Sequence, residues 1–248
     1  MLAIIGGSGL YELEGLVDPI RLTINTRWGT PSDSIVKGRI GALPVLFLPR
    51  HARGHRVPPH RINYRANMWA LREAGATEVV AVAAVGGIAT DCPTGALVVP
   101  DQVIDYTSGR EATYFDGDDG NVMHVDFTEP YDASLRERLI RSAARRQVSV
   151  VKTGVYGCTN GPRLETAAEI RRLRQDGCTI VGMTGMPEAA LARELGLRYA
   201  CLAVVANAAA GIDSSEAGVS IEAIMANLAR SMATVQQVLT EMCGAEAA

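Results

Sequence analysis

Two segments of the chain hold the side chains best suited to bind an anion. The turn Gly6-Gly-Ser-Gly9 follows an apolar run at residues 2–5, and its backbone N–H groups and the Ser8 hydroxyl can surround an anion. Arg50 and His51 follow a second apolar run; arginine makes forked contacts to phosphate oxygens, and histidine can add a donor. We interpret both as parts of a phosphate site, against the alternatives of a plain turn and a solvated basic loop.

A third segment joins a short strand to a helix. Residues 180–182 are apolar, Met183 and Thr184 follow, and Pro187-Glu188 predicts a helix with proline at its first position and an acid that suits the helix dipole. α/β proteins bind ligands where a strand end leads into a helix, and helix N-termini attract anions. We therefore expect Thr184 to contact a phosphate and Met183 a sugar.

Glu165 and Asn207 also lie where predicted strands end. Glu165 directly precedes a helix whose first turn has a capping box made by Thr166 and Glu169. Asn207 follows an apolar run and precedes small residues that leave it open to a pocket. The alternatives are a carboxylate that only compensates the helix dipole and an ordinary turn asparagine.

Strands alternate with helices along the chain, which predicts one α/β domain over residues 1–248 around a largely buried sheet. The predicted strands are residues 2–5, 34–40, 43–48, 79–85, 97–104, 150–158, 180–182 and 200–206. The predicted helices are residues 62–74, 132–146, 166–174, 189–195 and 220–242. Residues 34–40 and 43–48 are expected to form a hairpin, and residues 105–125 a polar loop that carries His124.

Composition excludes several classes of protein. A net charge of −3 gives no basic field for nucleic acid, and no apolar run is long enough to span a bilayer. The N-terminus lacks the features of a signal peptide, and the five cysteines have no paired spacing, so we expect buried thiols in a reducing cytoplasm. Three histidines lie close together (His51, His55 and His60), but no cysteine or carboxylate pattern completes a metal site.

Six short motifs, several of them described above, are spread along nearly the whole chain. They are Gly6-Gly-Ser-Gly9, Arg50-His51, Asn63-Tyr-Arg-Ala-Asn67, Val85-Gly-Gly-Ile88, Gly161-Pro-Arg-Leu-Glu-Thr166 and Gly182-Met-Thr-Gly-Met-Pro-Glu188. Together they resemble the trimeric purine nucleoside phosphorylase family, and within it the methylthioadenosine phosphorylase branch. The resemblance implies an α/β domain with a mixed, partly barrel-like sheet flanked by helices, assembly as a homotrimer, and transfer of a nucleoside's sugar to inorganic phosphate without a metal or organic cofactor.

The resemblance also implies roles for individual residues. Phosphate would be held by Ser8, Arg50, His51, Thr184 and the backbone near Ala84. The nucleoside would be held by Met183, Leu164, Glu165, Asn207, Ala209 and, from a neighbouring subunit, His124. Catalysis would depend on Asn207, Glu165 and His51, with phosphate displacing the purine at C1′ through a cation-like ribosyl transition state.

The base site departs from that of the adenine-specific relatives, which resemble one another in having Ser at position 165 and Asp at positions 207 and 209. A carboxylate such as Glu165 accepts well from the N1–H of a 6-oxopurine, whereas adenine N1 is itself an acceptor. An unpaired buried polar group costs about 1–3 kcal/mol. With an apolar 5′ pocket, to which Val219, Ile221 and Met183 are expected to contribute, the expected substrate is S-methyl-5′-thioinosine.

Other functions stay open at this point. A general inosine and guanosine phosphorylase, or a methylthioadenosine phosphorylase with Glu165 protonated, would use the same frame. A hydrolase would use water and would need no anion contacts. A nucleoside-binding protein would bind purine nucleosides without turnover, which the full set of phosphate residues disfavours.

Overall fold

A computed structural model of the chain describes residues 1–117, 120–212, 215 and 218–244. The strands over these residues are β1 (Leu2–Gly6), β2 (Val17–Leu22), β3 (Ile35–Ile40), β4 (Leu43–Pro49), β5 (Glu78–Gly87), β6 (Leu97–Val98), β7 (Gln102–Asp105), β8 (Val150–Val151), β9 (Val155–Cys158), β10 (Ile180–Gly182) and β11 (Arg198–Ala208). The α-helices are α1 (Tyr64–Glu73), α2 (Ala133–Arg145), α3 (Ala167–Gln175), α4 (Glu188–Glu194) and α5 (Ile221–Gly244), and a 3₁₀ helix spans Pro59–Arg61.

The strands form one mixed sheet organised around β5. On one side, β1 runs parallel to both β5 and β4, and the β3–β4 hairpin leads to the edge strand β2. Beyond the residues that pair with β1, the last residues of β5 pair with the antiparallel strand β10, and the sheet continues through the parallel strands β9 and β7. β11 runs parallel to β5 and carries β6 and β8. β5 is therefore shared by two branches, and the predicted mixed α/β sheet is confirmed.

Successive side chains of β1 enter two different apolar cores, as the two-residue period of a strand requires. Ala3 and Ile5 pack with residues of α1 and α4. Leu2 and Ile4 pack with residues of α2 and α5 on the opposite face. The sheet is therefore covered by helices on both sides, which explains why its central strands are continuous apolar runs.

Four details of the predicted elements are wrong. Residues 97–104 form two strands, because Pro100 cannot donate to a sheet hydrogen bond, and residues 150–158 are likewise interrupted. β2 was not predicted; it is an exposed edge strand in which Val17 and Ile20 face solvent, so no apolar pattern marks it. Pro187 is the N-cap of α4 rather than its first residue.

Local signals elsewhere act as expected. The Thr166–Glu169 capping box begins α3, and Asp132 caps α2 by accepting from the Leu135 N–H. The five cysteines are free and buried, as predicted. No helix in the described part of the chain is both long and apolar enough to cross a membrane.

Candidate active site

A cavity of about 700 Å³ lies where β1, β4, β5, β10 and β11 end or pass. Its lining includes almost every residue predicted for the site: Ser8, Arg50, His51, Ala84, Leu164, Glu165, Met183, Thr184, Asn207 and Ala209. His124 is exposed and lies outside this lining. The fold therefore brings together in one chain the predicted anion and base residues, which the sequence spreads over 200 positions.

Arg50 lies at the buried end of this cavity and is paired with Glu188. Its Nε is 2.7 Å from Glu188 Oε2, its Nη2 is 2.8 Å from Oε1, and its Nη1 donates to the Val82 carbonyl at 2.9 Å. Burial lowers the pKa of Arg50, but the charge and hydrogen bonds of Glu188 outweigh this, so the pKa lies above its usual value. Arg50 is a permanent buried cation.

This pairing corrects two expectations. The fork formed by Nε and Nη2 of Arg50 is occupied by Glu188, so a contact with phosphate would have to use the remaining hydrogens of Nη1 and Nη2. Nη1 is the nitrogen that lies beside the glycine-rich turn, 3.2 Å from where a Cβ on Gly7 would be. Glu188 does more than compensate the helix dipole, because it neutralises Arg50 and also accepts from the Tyr199 hydroxyl at 2.8 Å.

Gly7 allows the first turn to approach β5 closely. A Cβ at this position would lie only 2.4 Å from the Val82 carbonyl oxygen, which no real side chain tolerates. The turn therefore packs directly against backbone, and Ser8 reaches the cavity beside the Arg50 guanidinium.

His51 is buried next to Arg50 and presents a fixed tautomer. Burial and then the charge of Arg50 lower the pKa of His51 to about 4. Its Nδ1 is 2.8 Å from the Val57 carbonyl, and since a carbonyl only accepts, Nδ1 carries the proton of the neutral ring. The remaining nitrogen, Nε2, is an acceptor, which corrects the expectation that His51 adds a second donor.

The other two clustered histidines differ in position. His55 stacks on His51 with ring centroids 4.4 Å apart, contacts the Tyr11 hydroxyl through Nδ1 at 2.8 Å and also lines the cavity. His60 is exposed and lies outside the cavity lining. Within the described residues, no group of three or more histidine, cysteine or acidic side chains is placed to hold a metal ion.

Glu165 and Asn207 also line the cavity and add a carboxylate and an amide to it. One oxygen of Glu165, Oε1, accepts from the Thr159 hydroxyl at 2.6 Å. The Asn207 amide donates one hydrogen from Nδ2 to the Ala208 carbonyl at 2.7 Å, so one amide hydrogen and Oδ1 are left for a ligand. A carboxylate and an amide together can recognise a planar ring that carries both donors and acceptors.

Apolar side chains close one end of the cavity. They come from the segment before α5 and from its first turns, and they are Val219, Ile221, Ile224, Met225 and Leu228. Ile221 and Met225 are about half exposed, which is unusual for large apolar side chains beside a cavity. This end can take an apolar substituent of a ligand, and it includes Val219 and Ile221, which the sequence analysis assigned to such a pocket.

Arg110 organises the backbone around Met183 and was missed in the sequence analysis. Its guanidinium donates to the carbonyls of Met183 at 2.9 Å and Asn160 at 3.0 Å, and also to that of Met186. The Thr184 N–H reaches the Tyr156 hydroxyl at 3.4 Å. The peptide between Met183 and Thr184 is thus held at both its oxygen and its nitrogen.

No sequence motif marks the partners that lie outside the predicted site. Arg110 and Thr159 act through contacts formed only after folding, and neither is part of a recognisable spacing. Glu188 was visible in the sequence, but its pairing with a residue 138 positions away was not. The one available signal was Arg50 itself: an arginine that follows an apolar run and is buried needs an acidic partner nearby.

Comparison with known proteins shows the family of this chain. Residues 1–243 match the model of the phosphorylase superfamily. A protein of Pseudomonas syringae pv. tomato named "Probable S-methyl-5'-thioinosine phosphorylase" is 51% identical over 98% of each chain. The purine nucleoside phosphorylase of Streptomyces coelicolor is 44% identical over 98% of this chain and 88% of its own.

Solved structures show the same fold. The methylthioadenosine phosphorylase of Schistosoma mansoni in complex with adenine has a TM-score of 0.93 and 33% identity over 99% of this chain and 91% of its own. The cavity, lined by Arg50 and His51, by Glu165 and Asn207 and by apolar side chains, is of a size and chemistry suited to a small molecule. The chain belongs to the phosphorylase superfamily.

Proposed function

We propose that the protein catalyses phosphorolysis of S-methyl-5′-thioinosine, giving hypoxanthine and 5-methylthioribose 1-phosphate. One observation carries this proposal: Glu165 and Asn207 line the same cavity as an apolar end formed near α5. Glu165 and Asn207 fit a 6-oxopurine, and the apolar end fits a methylthio group. The names of relatives at 47–51% identity support the same substrate.

The chemistry of the base supports a 6-oxopurine. Glu165 has Oε2 available to accept from N1–H, and Asn207 has one amide hydrogen available for O6. Adenine would present a bare acceptor at N1 and an amino group at C6. Ala209 offers no acid for that amino group.

The other end of the nucleoside fits the apolar residues. A 5′-hydroxyl buried against Val219, Ile224 and Leu228 would lose its hydrogen bonds to water, whereas a methylthio group would gain by leaving water. The ribose between the two ends would lie against Met183. The backbone N–H of Met183 lies in the peptide that joins Gly182 to Met183. The carbonyl of that peptide accepts from the Thr159 N–H at 2.8 Å, which holds the peptide in place.

Phosphate would occupy the end that contains Ser8, Arg50, His51 and Thr184. The C1′–N9 bond breaks with its electron pair leaving on the purine, and a phosphate oxygen forms the new bond to C1′. Asn207 stabilises the charge that develops on O6, and the anion stabilises the cationic sugar. His51 Nε2, as an acceptor, would take a hydrogen bond from a protonated phosphate oxygen. Positioning and electrostatics supply the rate, and no enzyme nucleophile is needed.

We also propose that the protein acts in the cytoplasm as a homotrimer without a metal or organic cofactor, and that His124 enters the site of a neighbouring subunit. The neighbours of His124 support this, because Val122 and Met123 are large apolar side chains that a single chain leaves exposed. Mixed trimers test it. Inactive H124A and N207A proteins, denatured and refolded together, should regain activity if sites form across subunits; no regain would contradict the arrangement.

Phosphate-dependent turnover of methylthioinosine, methylthioadenosine and inosine by the purified protein tests the main proposal. We expect the largest kcat/KM for methylthioinosine and no reaction without phosphate. Preference for inosine would contradict the apolar 5′ site, and turnover without phosphate would indicate a hydrolase.

The second candidate is methylthioadenosine phosphorylase, which the fold of the Schistosoma mansoni enzyme favours. Preference for methylthioadenosine in the same assay would establish it.

A further inference from the structure

We infer that Thr159 is a positioning residue that sets the selectivity of Glu165 for 6-oxopurines over 6-aminopurines. This inference rests on the proposed function, since it concerns the same base site. Its basis is the 2.6 Å hydrogen bond between the Thr159 hydroxyl and Glu165 Oε1.

Thr159 is itself held in place by the sheet. It directly follows β9, and its backbone N–H donates to the Gly182 carbonyl at the end of β10 at 2.8 Å. The hydroxyl has two acceptors within reach, Glu165 Oε1 at 2.6 Å and the Gly182 oxygen at 3.4 Å. The shorter contact, to a charged acceptor, takes the single hydroxyl hydrogen.

Glu165 receives a hydrogen bond from no other described residue. The nearest cation in the same loop, Arg163, is occupied by a forked contact with Glu169 at 2.7 and 2.8 Å. Thr159 therefore decides which oxygen of Glu165 is engaged by the protein and which is left for the base. Oε2 is the oxygen that the described residues leave without a hydrogen bond.

The direction of this hydrogen bond, from the Thr159 hydroxyl to the Glu165 carboxylate, favours 6-oxopurines. With Oε1 engaged by the Thr159 hydroxyl, Oε2 is presented to the base as an acceptor. A 6-oxopurine brings N1–H, which donates to Oε2. A 6-aminopurine brings an acceptor at N1, so two acceptors would face each other without a hydrogen bond. Thr159 thus weakens binding of the wrong base without touching it.

Substitution by valine removes the hydroxyl while keeping nearly the same shape. T159V should lower the ratio of kcat/KM for methylthioinosine to that for methylthioadenosine by roughly tenfold, which corresponds to the loss of one hydrogen bond to a charged group. T159S keeps a donor at this position and should keep the ratio within about threefold of the wild type. An equal fall for both substrates in T159V would mean that Thr159 is only structural and would overturn the inference.

Binding of the free bases gives a second readout that does not need turnover. Calorimetric titration with hypoxanthine and adenine should show the same loss of preference in T159V, and in T159A if the valine variant does not fold. In a Glu165→Ala background the Thr159 change should no longer alter the preference, because its effect passes through the side chain of residue 165. A wild-type protein that does not prefer methylthioinosine refutes the proposed function. A wild-type preference that T159V leaves unchanged refutes only the role of Thr159.

Discussion

Arg50 and Glu188, 138 positions apart in the sequence, share two hydrogen bonds of 2.7 and 2.8 Å at the buried end of the cavity. Their side chains are 1% and 0% exposed. When one charge of such a buried pair is removed, the fold is destabilised, because the other charge is left unpaired and out of contact with water. The position of the anion end of the cavity therefore depends on a residue that lies on a different element, α4.

Replacing Glu188 by Gln should leave Arg50 charged and uncompensated. We expect the free energy of unfolding to fall by about 3–5 kcal/mol, measured by urea denaturation. Glu137→Gln is the matched control, because Glu137 also faces an arginine, Arg141, but at an exposed site where an ion pair contributes 0–1 kcal/mol. Equal losses in the two variants would show that burial does not govern the Arg50–Glu188 pair.

His51 should make stability depend on pH. Its pKa is lowered to about 4 in the folded protein by burial and by Arg50, against 6.5 for an ordinary histidine. Between these values the unfolded chain binds a proton that the folded protein does not, so stability falls as the pH decreases from 6.5 to 4. The contribution of this one group reaches about 3 kcal/mol at pH 4 and is absent above pH 7.

Urea denaturation at pH 7.5, 5.5 and 4.5 measures this dependence. His51→Asn should lose that part of the pH slope, whereas His60→Asn, at an exposed position outside the cavity lining, should keep it. Identical slopes for the wild type and His51→Asn would show that folding does not lower the pKa of His51.

Arg110 should affect catalysis through the backbone that it holds. Arg110→Ala frees the carbonyls of Met183 and Met186, and we expect kcat/KM to fall by at least roughly tenfold as the N–H groups of this turn lose their orientation. Added guanidinium should restore part of the activity, while equal NaCl should not. Arg171→Ala, at an exposed position, is the control. Rescue by both salts alike would argue against a specific role.

Ile221 should contribute to selectivity at the 5′ end rather than to stability, because its side chain is 57% exposed and lines the cavity. Ile221→Ser should lower the preference for methylthioinosine over inosine by roughly tenfold. The midpoint of thermal unfolding should stay unchanged. A lower midpoint with unchanged preference would assign Ile221 to packing instead.

The layered fold could be predicted from the sequence because each central strand is a continuous apolar run and each helix has a clear apolar stripe. The exposed edge strand β2 could not, since Val17 and Ile20 face water and the strand contains Pro19. At the site, residues in glycine-rich turns were identifiable by type. The donors and acceptors they present were not, because the fork of Arg50 and the tautomer of His51 are set by Glu188 and Val57.

The buried cysteines make the protein a convenient frame for site-specific chemical labelling. Burial raises the pKa of Cys92 to about 11 and that of Cys158 and Cys201 to about 12, so these thiols react slowly with maleimides at neutral pH. A single cysteine introduced at Met123, which a single chain leaves 46% exposed, should therefore carry nearly all of a fluorescent dye in separated chains and little of it once the proposed trimer covers this segment. A dye at that position would report when the loop around His124 changes its surroundings.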